Sequence, residues 1–264
     1  MNKAHSTVAV ITACLIILGA TAAFATEEEK RLSADMSIDL LSQYICRGYE
    51  YSRGSIVIQP SITALYKGFG VNLWGNLDTD QSTGLYDVDG AKWNETDLTL
   101  FYDGKAGMMN YSAGYIYYVL EAPDYDTQEV YTSLGLDALL APTLTVYRDI
   151  DAYPGWYVTL SVSHSFKVTE SIALTLAGQV SYLSADEADN IADPDDPGSA
   201  YSDFHDGVIS VALSIPVTEG VSIAPTVSYS FALNENASEV IKADSARGED
   251  ASFMYGGVTL SMAL

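Results

Sequence analysis

Apolar and polar residues alternate with a period of two along most of this chain. Residues 55–66 put Ile56, Ile58, Ile62, Ala64 and Tyr66 on one face and Ser55, Gln59, Ser61 and Thr63 on the other. In 156–166, Trp156, Val158, Leu160, Val162 and Phe166 alternate with Tyr157, Thr159, Ser161, Ser163 and Ser165. The pattern returns in 172–182, in 221–233 and at the end of the chain, where Val258, Leu260, Met262 and Leu264 oppose Thr259 and Ser261. A period of two is that of a β-strand with one apolar face. Twelve segments follow it, near 33–47, 54–66, 69–79, 93–103, 107–120, 127–137, 142–150, 155–166, 171–184, 205–216, 220–233 and 252–264. Segments 107–120 and 142–150 alternate too weakly for their faces to be assigned.

The connections predict how the strands are joined. Tight turns (Lys67-Gly68, 104–106, 138–141, 167–170, 217–219) alternate with connections that are mostly longer, 80–92, 185–204 and 234–251 among them. Antiparallel strands with short turns at one end and long loops at the other are the plan of an outer-membrane barrel. The polar face agrees. A soluble sandwich would carry Lys, Glu and Arg there, whereas these segments carry mostly Ser, Thr, Gln, Asn, Gly and Ala, which suit a confined lumen. Tyrosines gather toward segment ends (Tyr44, Tyr66, Tyr102, Tyr117, Tyr118, Tyr147, Tyr157, Tyr182, Tyr229), as in an interfacial girdle. No amphipathic helix, repeat or linker stands out. The expected fold is all-β: a closed antiparallel transmembrane β-barrel of about 12 strands, with short periplasmic turns and long acidic extracellular loops.

The N-terminus sets the compartment. Lys3 precedes an apolar run, Val8 to Ala20, and Ala23-Phe24-Ala25 offers small residues at a cleavage site. This predicts a secretory signal peptide over residues 1–25 and a barrel over 26–264. The run is too short for a good membrane-spanning helix.

Charge then narrows the function. The chain has 35 Asp and Glu against 12 Lys and Arg, a formal net charge of −23. Nucleic acid is not an expected partner, because phosphate binding needs a basic surface. Most of the acids fall in or beside the long loops, where they suit divalent cations bridging to lipopolysaccharide. Asp193, Asp195 and Asp196 supply hard oxygen ligands of the kind Ca²⁺ and Mg²⁺ prefer, although their spacing is not that of an EF loop.

Arginine is scarce, so Arg47 draws the eye. By parity, the first strand turns Asp35, Asp39, Gln43 and Arg47 inward, with Leu40, Tyr44 and Cys46 on the opposite face. A charge facing lipid at mid-depth costs about 2–4 kcal/mol, so an arginine within a strand belongs in the lumen or near the interface. The same parity offers Asp78, Glu95, Asp97 and Glu129 as partners across the lumen. These eight residues are the candidates for a charged constriction, or equally for a structural brace. Arg53, between Gly48 and Gly54, reads as a loop residue. Catalysis has little support: no CxxC, HExxH, GxSxG or phosphate-binding glycine loop occurs. Of the two histidines beyond the signal region, His164 faces outward by parity, and His205 lies beside Asp203 and Asp206. No enzyme activity and no cofactor are expected.

The segments Tyr44-Ile45-Cys46-Arg47-Gly48, Gln59-Pro60-Ser61, Lys67-Gly68-Phe69 and Trp74-Gly75-Asn76-Leu77-Asp78 together resemble the start of the TorF-like porin family of bacterial outer-membrane proteins. The resemblance covers about residues 33–80 and implies a porin-like role without naming a solute. The expected function is therefore an outer-membrane channel for passive diffusion of small solutes. The alternative is a non-conducting structural or adhesive barrel whose acidic loops bind divalent cations, lipopolysaccharide or a partner. In both, outer-membrane lipid surrounds the protein.

Overall fold

The computed structural model describes residues 32–52, 54–81, 90–121, 125–246 and 248–264. The expected signal peptide and Arg53 lie outside these residues. Twelve strands close into one antiparallel barrel: β1 (Ser33–Leu41), β4 (Val57–Tyr66), β5 (Phe69–Asp78), β6 (Lys92–Ala106), β7 (Met109–Leu120), β8 (Thr127–Leu136), β9 (Thr143–Asp149), β10 (Gly155–Lys167), β11 (Ala173–Ala185), β12 (Ser202–Thr218), β13 (Val221–Ala232) and β14 (Ser252–Ala263). Each pairs with its neighbours in sequence, and β1 pairs with both β4 and β14, which closes the ring. Closure leaves no wall strand with an unpaired edge. Both ends of the barrel chain, near Asp35 and Ala263, lie at the end with the tight turns; the opposite end carries the longer connections.

The outer face is the apolar one. Met36, Ile38 and Leu40 on β1, Leu98 and Leu100 on β6, Leu160 and Val162 on β10, and Val258, Leu260 and Met262 on β14 are exposed, while the residues between them point inward. Exposed aromatic rings flank this belt. Tyr66, Phe69, Tyr102 and Phe166 stand near the turn end, and Trp93, Trp156 and Phe204 near the loop end. An apolar band between two aromatic girdles is the surface of a barrel that crosses a bilayer. Among the described residues no helix is long and apolar enough to cross one.

Three expectations need correction. First, β1 ends at Leu41 rather than near residue 47. Residues 42–52 leave the wall and fold inward, forming a two-stranded hairpin, β2 (Ile45–Cys46) and β3 (Tyr49–Glu50). Tyr44 and Cys46 therefore do not face lipid; they are buried. Second, Tyr118, Tyr147 and Tyr157, assigned to the girdle by their place near strand ends, lie inside with Tyr44. Third, the loop 234–251 contains a helix, α1 (Glu235–Asp244). Asn234 caps it, its side-chain oxygen accepting from the Ala237 N–H at 2.8 Å. Ala237, Val240 and Ile241 are its buried face, set against β3, β12 and β13.

The hairpin and α1 share one apolar core at the loop end. It includes Ile45 and Tyr49 of the hairpin, Tyr157, Leu183, Ile191 and Tyr201 from the wall and loops, and Val240 and Ile241 of α1. Toward the turn end the lumen changes character. Ser37, Ser61, Thr63, Ser163 and Thr175 point inward and are only half-buried. The interior is thus a polar vestibule at the turn end that meets an apolar cap at the loop end.

Candidate functional site

The cap is hung on one turn. Arg47 and Gly48 both have positive φ, +47° and +84°, as the central pair of a type I′ hairpin requires. Glycine tolerates this, while arginine pays about 1–2 kcal/mol for the left-handed region. Gly48 is needed for a second reason: a Cβ there would lie 2.8 Å from Ile241 Cδ1 of α1 and 3.0 Å from Asp206 Cβ.

What holds Arg47 in this conformation is its side chain. Its two terminal nitrogens donate to the two oxygens of Glu129 at 2.9 and 2.8 Å, a bidentate pair with both side chains almost fully buried. The guanidinium carbon lies 4.4 Å from the ring centre of Tyr157 and 5.1 Å from that of Tyr147. The Tyr118 hydroxyl donates to Glu129 at 2.7 Å. The backbone is fixed as well: the Arg47 carbonyl is 3.1 Å from His205 Nε2, and His205 Nδ1 is 3.2 Å from the Tyr201 hydroxyl. A neutral imidazole that donates from Nε2 and accepts at Nδ1 satisfies both contacts.

The opposite side of the hairpin rests on β5 and β6. Tyr44 packs against Trp74 at 5.8 Å between ring centres, and its hydroxyl donates to Glu95. The Tyr44–Gly48 and Trp74–Asp78 segments of the sequence therefore meet in space. Asp97 lies near enough to feel the charges of both Glu95 and Glu129. Beside the Arg47–Glu129 pair is a cavity of about 20 Å³, lined in part by Asp149, Tyr153 and Ile191, room for about one water.

Each predicted site residue can now be placed. Glu129 is the partner of Arg47; the two carboxylates of β1 are not. Asp39 is half-buried and accepts from the Thr259 hydroxyl across the β1–β14 seam. Asp35 is exposed near the turn end. Gln43 is buried where the chain leaves the wall, and Asp78, Glu95 and Asp97 are buried on β5 and β6. Asp39, Asp78, Glu95, Asp97 and Glu129 do lie on the inner face that parity gives them; Gln43 and Arg47 belong to the inward-folded segment rather than to the strand. The sequence reading missed Tyr118, Tyr147, Tyr157 and His205 as parts of the same assembly, and Asp206, which accepts from the Tyr157 hydroxyl at 2.8 Å and the Ser181 hydroxyl at 2.5 Å. A signal for the hairpin was present: Cys46-Arg47-Gly48-Tyr49 matches Tyr66-Lys67-Gly68-Phe69, whose Lys67 and Gly68 form the β4–β5 turn with the same pair of positive φ angles.

Among the described residues, seven carboxylates are buried (Glu50, Asp78, Glu95, Asp97, Glu129, Asp149, Asp206) and one guanidinium, that of Arg47. The loop acids behave differently. Asp193 accepts from the Asp195 N–H at 2.9 Å, Asp196 from the Ser199 hydroxyl at 2.8 Å and Asp195 from Asn236 at 3.1 Å. No group of three or more His, Cys, Asp or Glu is gathered for a metal among the described residues. His164 sits on the outer face, its Nδ1 2.7 Å from the Leu139 carbonyl and its ring against Phe166.

One acid of the cap titrates near neutrality. Asp244, at the end of α1, is half-buried, and loss of water pushes its carboxyl from an ordinary 3.8 up to about 7. The folded cap thus holds a proton that the undocked helix releases between about pH 4 and 7, so docking weakens as pH rises through that window and levels off above it. Amide exchange of residues 45–50 and 235–244, corrected for its intrinsic pH dependence, should show stronger protection at pH 5 than at pH 8. In Asp244→Asn the protection should stay near its low-pH level; a pH dependence unchanged in that variant would contradict the assignment.

No family model and no curated protein matches the chain. Solved structures with a similar course are outer-membrane barrels. The NanC porin is 11% identical with a TM-score of 0.48, over 87% of this chain and 98% of that one. Outer membrane phospholipase A from Escherichia coli is 14% identical with a TM-score of 0.45, over 87% and 95%. An anion-selective porin from Comamonas acidovorans is 9% identical with a TM-score of 0.38, over 89% and 99%. At such values the likeness concerns architecture, and the functional argument rests on this chain's own residues.

Proposed function

We propose that the protein is an outer-membrane channel for passive diffusion of small solutes, with its aperture set by the hairpin that Arg47 pins across the loop half of the lumen. The observation that supports this most is the lumen itself. Half-buried Ser and Thr side chains lead from the turn end toward buried carboxylates on β5, β6 and β8, one of which, Glu129, holds the Arg47 guanidinium. A polar wall replaces part of a solute's hydration, and a charged narrowing selects by sign and size. Passage requires the cap to shift. The cap is suited to that, because α1 is a short helix with three buried residues, and such small units open at lower cost than the barrel wall.

In this reading the chain performs no chemistry. His205 has both ring nitrogens committed within the cap, and His164 is an interfacial residue. Lipid surrounds the apolar belt, and the acidic loops face lipopolysaccharide and its divalent cations. A second reading is favoured by a specific observation: thirteen buried apolar residues form the core at the loop end, which suits a barrel closed for structural or adhesive purposes.

Proteoliposome swelling separates the two. The channel reading expects swelling with the smallest neutral solutes and a cut-off as solute size grows. Absence of swelling with every solute, in vesicles holding folded barrel, supports the closed reading instead.

A further inference from the structure

The inner wall of β5 and β6 carries a row of oxygens that the protein leaves unsatisfied. Asn72 Oδ1, Thr99 Oγ1, Asp97 Oδ1, Glu95 Oε1 and Asp78 Oδ2 are buried and find no hydrogen-bond donor in the protein. Their residues are each at least nine-tenths buried, from Asn72 at 8% exposure to Asp78 at 0%. The ladder orders them: Asn72 stands opposite Thr99, Trp74 opposite Asp97, and Asn76 opposite Glu95. Asp78 follows two residues beyond Asn76 on β5. From Asn72 to Asp78 the row spans roughly 20 Å along the strand, with a step of about 7 Å between successive inward positions.

A buried acceptor left without a donor is costly, and a buried carboxylate without a counter-charge more so. The nearby cations are committed elsewhere: Arg47 to Glu129, and Lys92, which faces Asp78 across the ladder, to Glu121. Water could donate to these oxygens, and a bound proton could neutralise a carboxyl group. A small cation supplies both the donors or the coordination and the opposite charge. Four of the five atoms are carbonyl or carboxylate oxygens, which suits an ammonium group or an alkali-metal ion. The hairpin rests on this wall through Tyr44, which packs on Trp74 and donates to Glu95, so a cation moves along the row when the cap shifts, as the channel reading requires.

We infer that the β5–β6 wall is a path for small monovalent cations, with Glu95 and Asp97 as its central binding station. This rests on the channel reading above and adds the class of permeant. It also predicts a binding site that exists whether or not the cap opens.

The test uses the mature full-length protein and the isosteric double variant Glu95→Gln/Asp97→Asn, with heat-modifiable migration confirming that both are folded. In planar bilayers under a KCl gradient, the wild-type protein is expected to pass K⁺ in preference to Cl⁻. The double variant should lower that permeability ratio roughly fivefold or more, as expected for removing charge within a few ångströms of the path. In parallel, the unfolding midpoint is measured in methylammonium and in N-methylglucamine at equal ionic strength. The smaller cation should raise the midpoint of the wild type and not of the variant. Conductance without cation preference, and a midpoint indifferent to methylammonium, would overturn the inference and leave the channel reading intact. A midpoint that responds in the wild type alone, without conductance, would retain the site and remove the channel. No response in either measurement would overturn both.

Discussion

Arg47→Ala is expected to free the hairpin while leaving the barrel closed. The substitution removes a bidentate ion pair whose members are nearly fully buried and strands the Glu129 charge beside Asp97. Breaking a buried pair from one side costs about 3–5 kcal/mol. The stacked contacts with Tyr147 and Tyr157 add about 1–2 kcal/mol. Alanine recovers nothing in exchange, because the turn still demands a positive φ. Undocking the cap leaves the twelve paired wall strands intact, so it is the cheaper response than opening the barrel. The expected result is loss of amide protection and new protease cleavage within residues 42–56, with heat-modifiable migration preserved and conductance increased. Arg47→Met/Glu129→Leu should restore much of the protection, since replacing both charges by apolar groups of similar bulk removes the desolvation cost as well. Protection of the hairpin unchanged in Arg47→Ala would show that the apolar core alone holds it.

The second large effect is expected at the closing seam. Gly257 of β14 pairs with Leu41, the last residue of β1 before the chain turns into the lumen. Ser42 anchors that departure, its N–H donating to the Gly256 carbonyl at 2.8 Å. A Cβ on Gly257 would overlap the Leu40 carbonyl oxygen, which is backbone and can yield only if the strands part. Gly257→Val should therefore cost about 3 kcal/mol or more and reduce the fraction of refolded chain that reaches the heat-modifiable form. Gly178→Ala is the control: a Cβ there meets nothing nearer than the Val208 carbonyl at 3.9 Å. Equal refolding yields for the two variants would refute the role given to Gly257.

The wall was legible in the sequence because lipid enforces period two at nearly every outward position. Strand positions, the two kinds of connection and the inward acids of β5, β6 and β8 followed from that alone. The cap was not legible for a related reason. Tyr44, Ile45, Cys46 and Tyr49 are apolar because they are buried in protein, and an apolar run continuing from β1 reads as more strand. Arg47 was placed in the lumen for a sound reason, the cost of a charge in lipid, but along the wrong route. Its partner Glu129 came from parity; its turn did not, although Arg47-Gly48 repeats the chemistry of Lys67-Gly68. Tyr118 and Tyr147 were missed because a position near a strand end suits either a girdle or a lumen mouth, and β7 and β9 alternate too weakly to decide; for Tyr157 the alternation of 156–166 already gave the polar face, and only its place near a strand end suggested the girdle. In α1, the cap residue Asn234 and the spacing of Ala237, Val240 and Ile241 were visible, but a short helix inside an acidic loop has little periodic signal.

The account stands or falls on the hairpin as the element that sets the aperture. Single-channel conductance should be recorded for the folded wild-type protein and for a variant in which residues 43–55 are replaced by a Gly-Ser segment able to span from β1 to β4. The account predicts small or rare steps in the wild type and larger, persistent steps in the variant. Equal steps in both would show that the hairpin does not set the aperture, and silence in both, with folded barrel in the membrane, would contradict the channel itself.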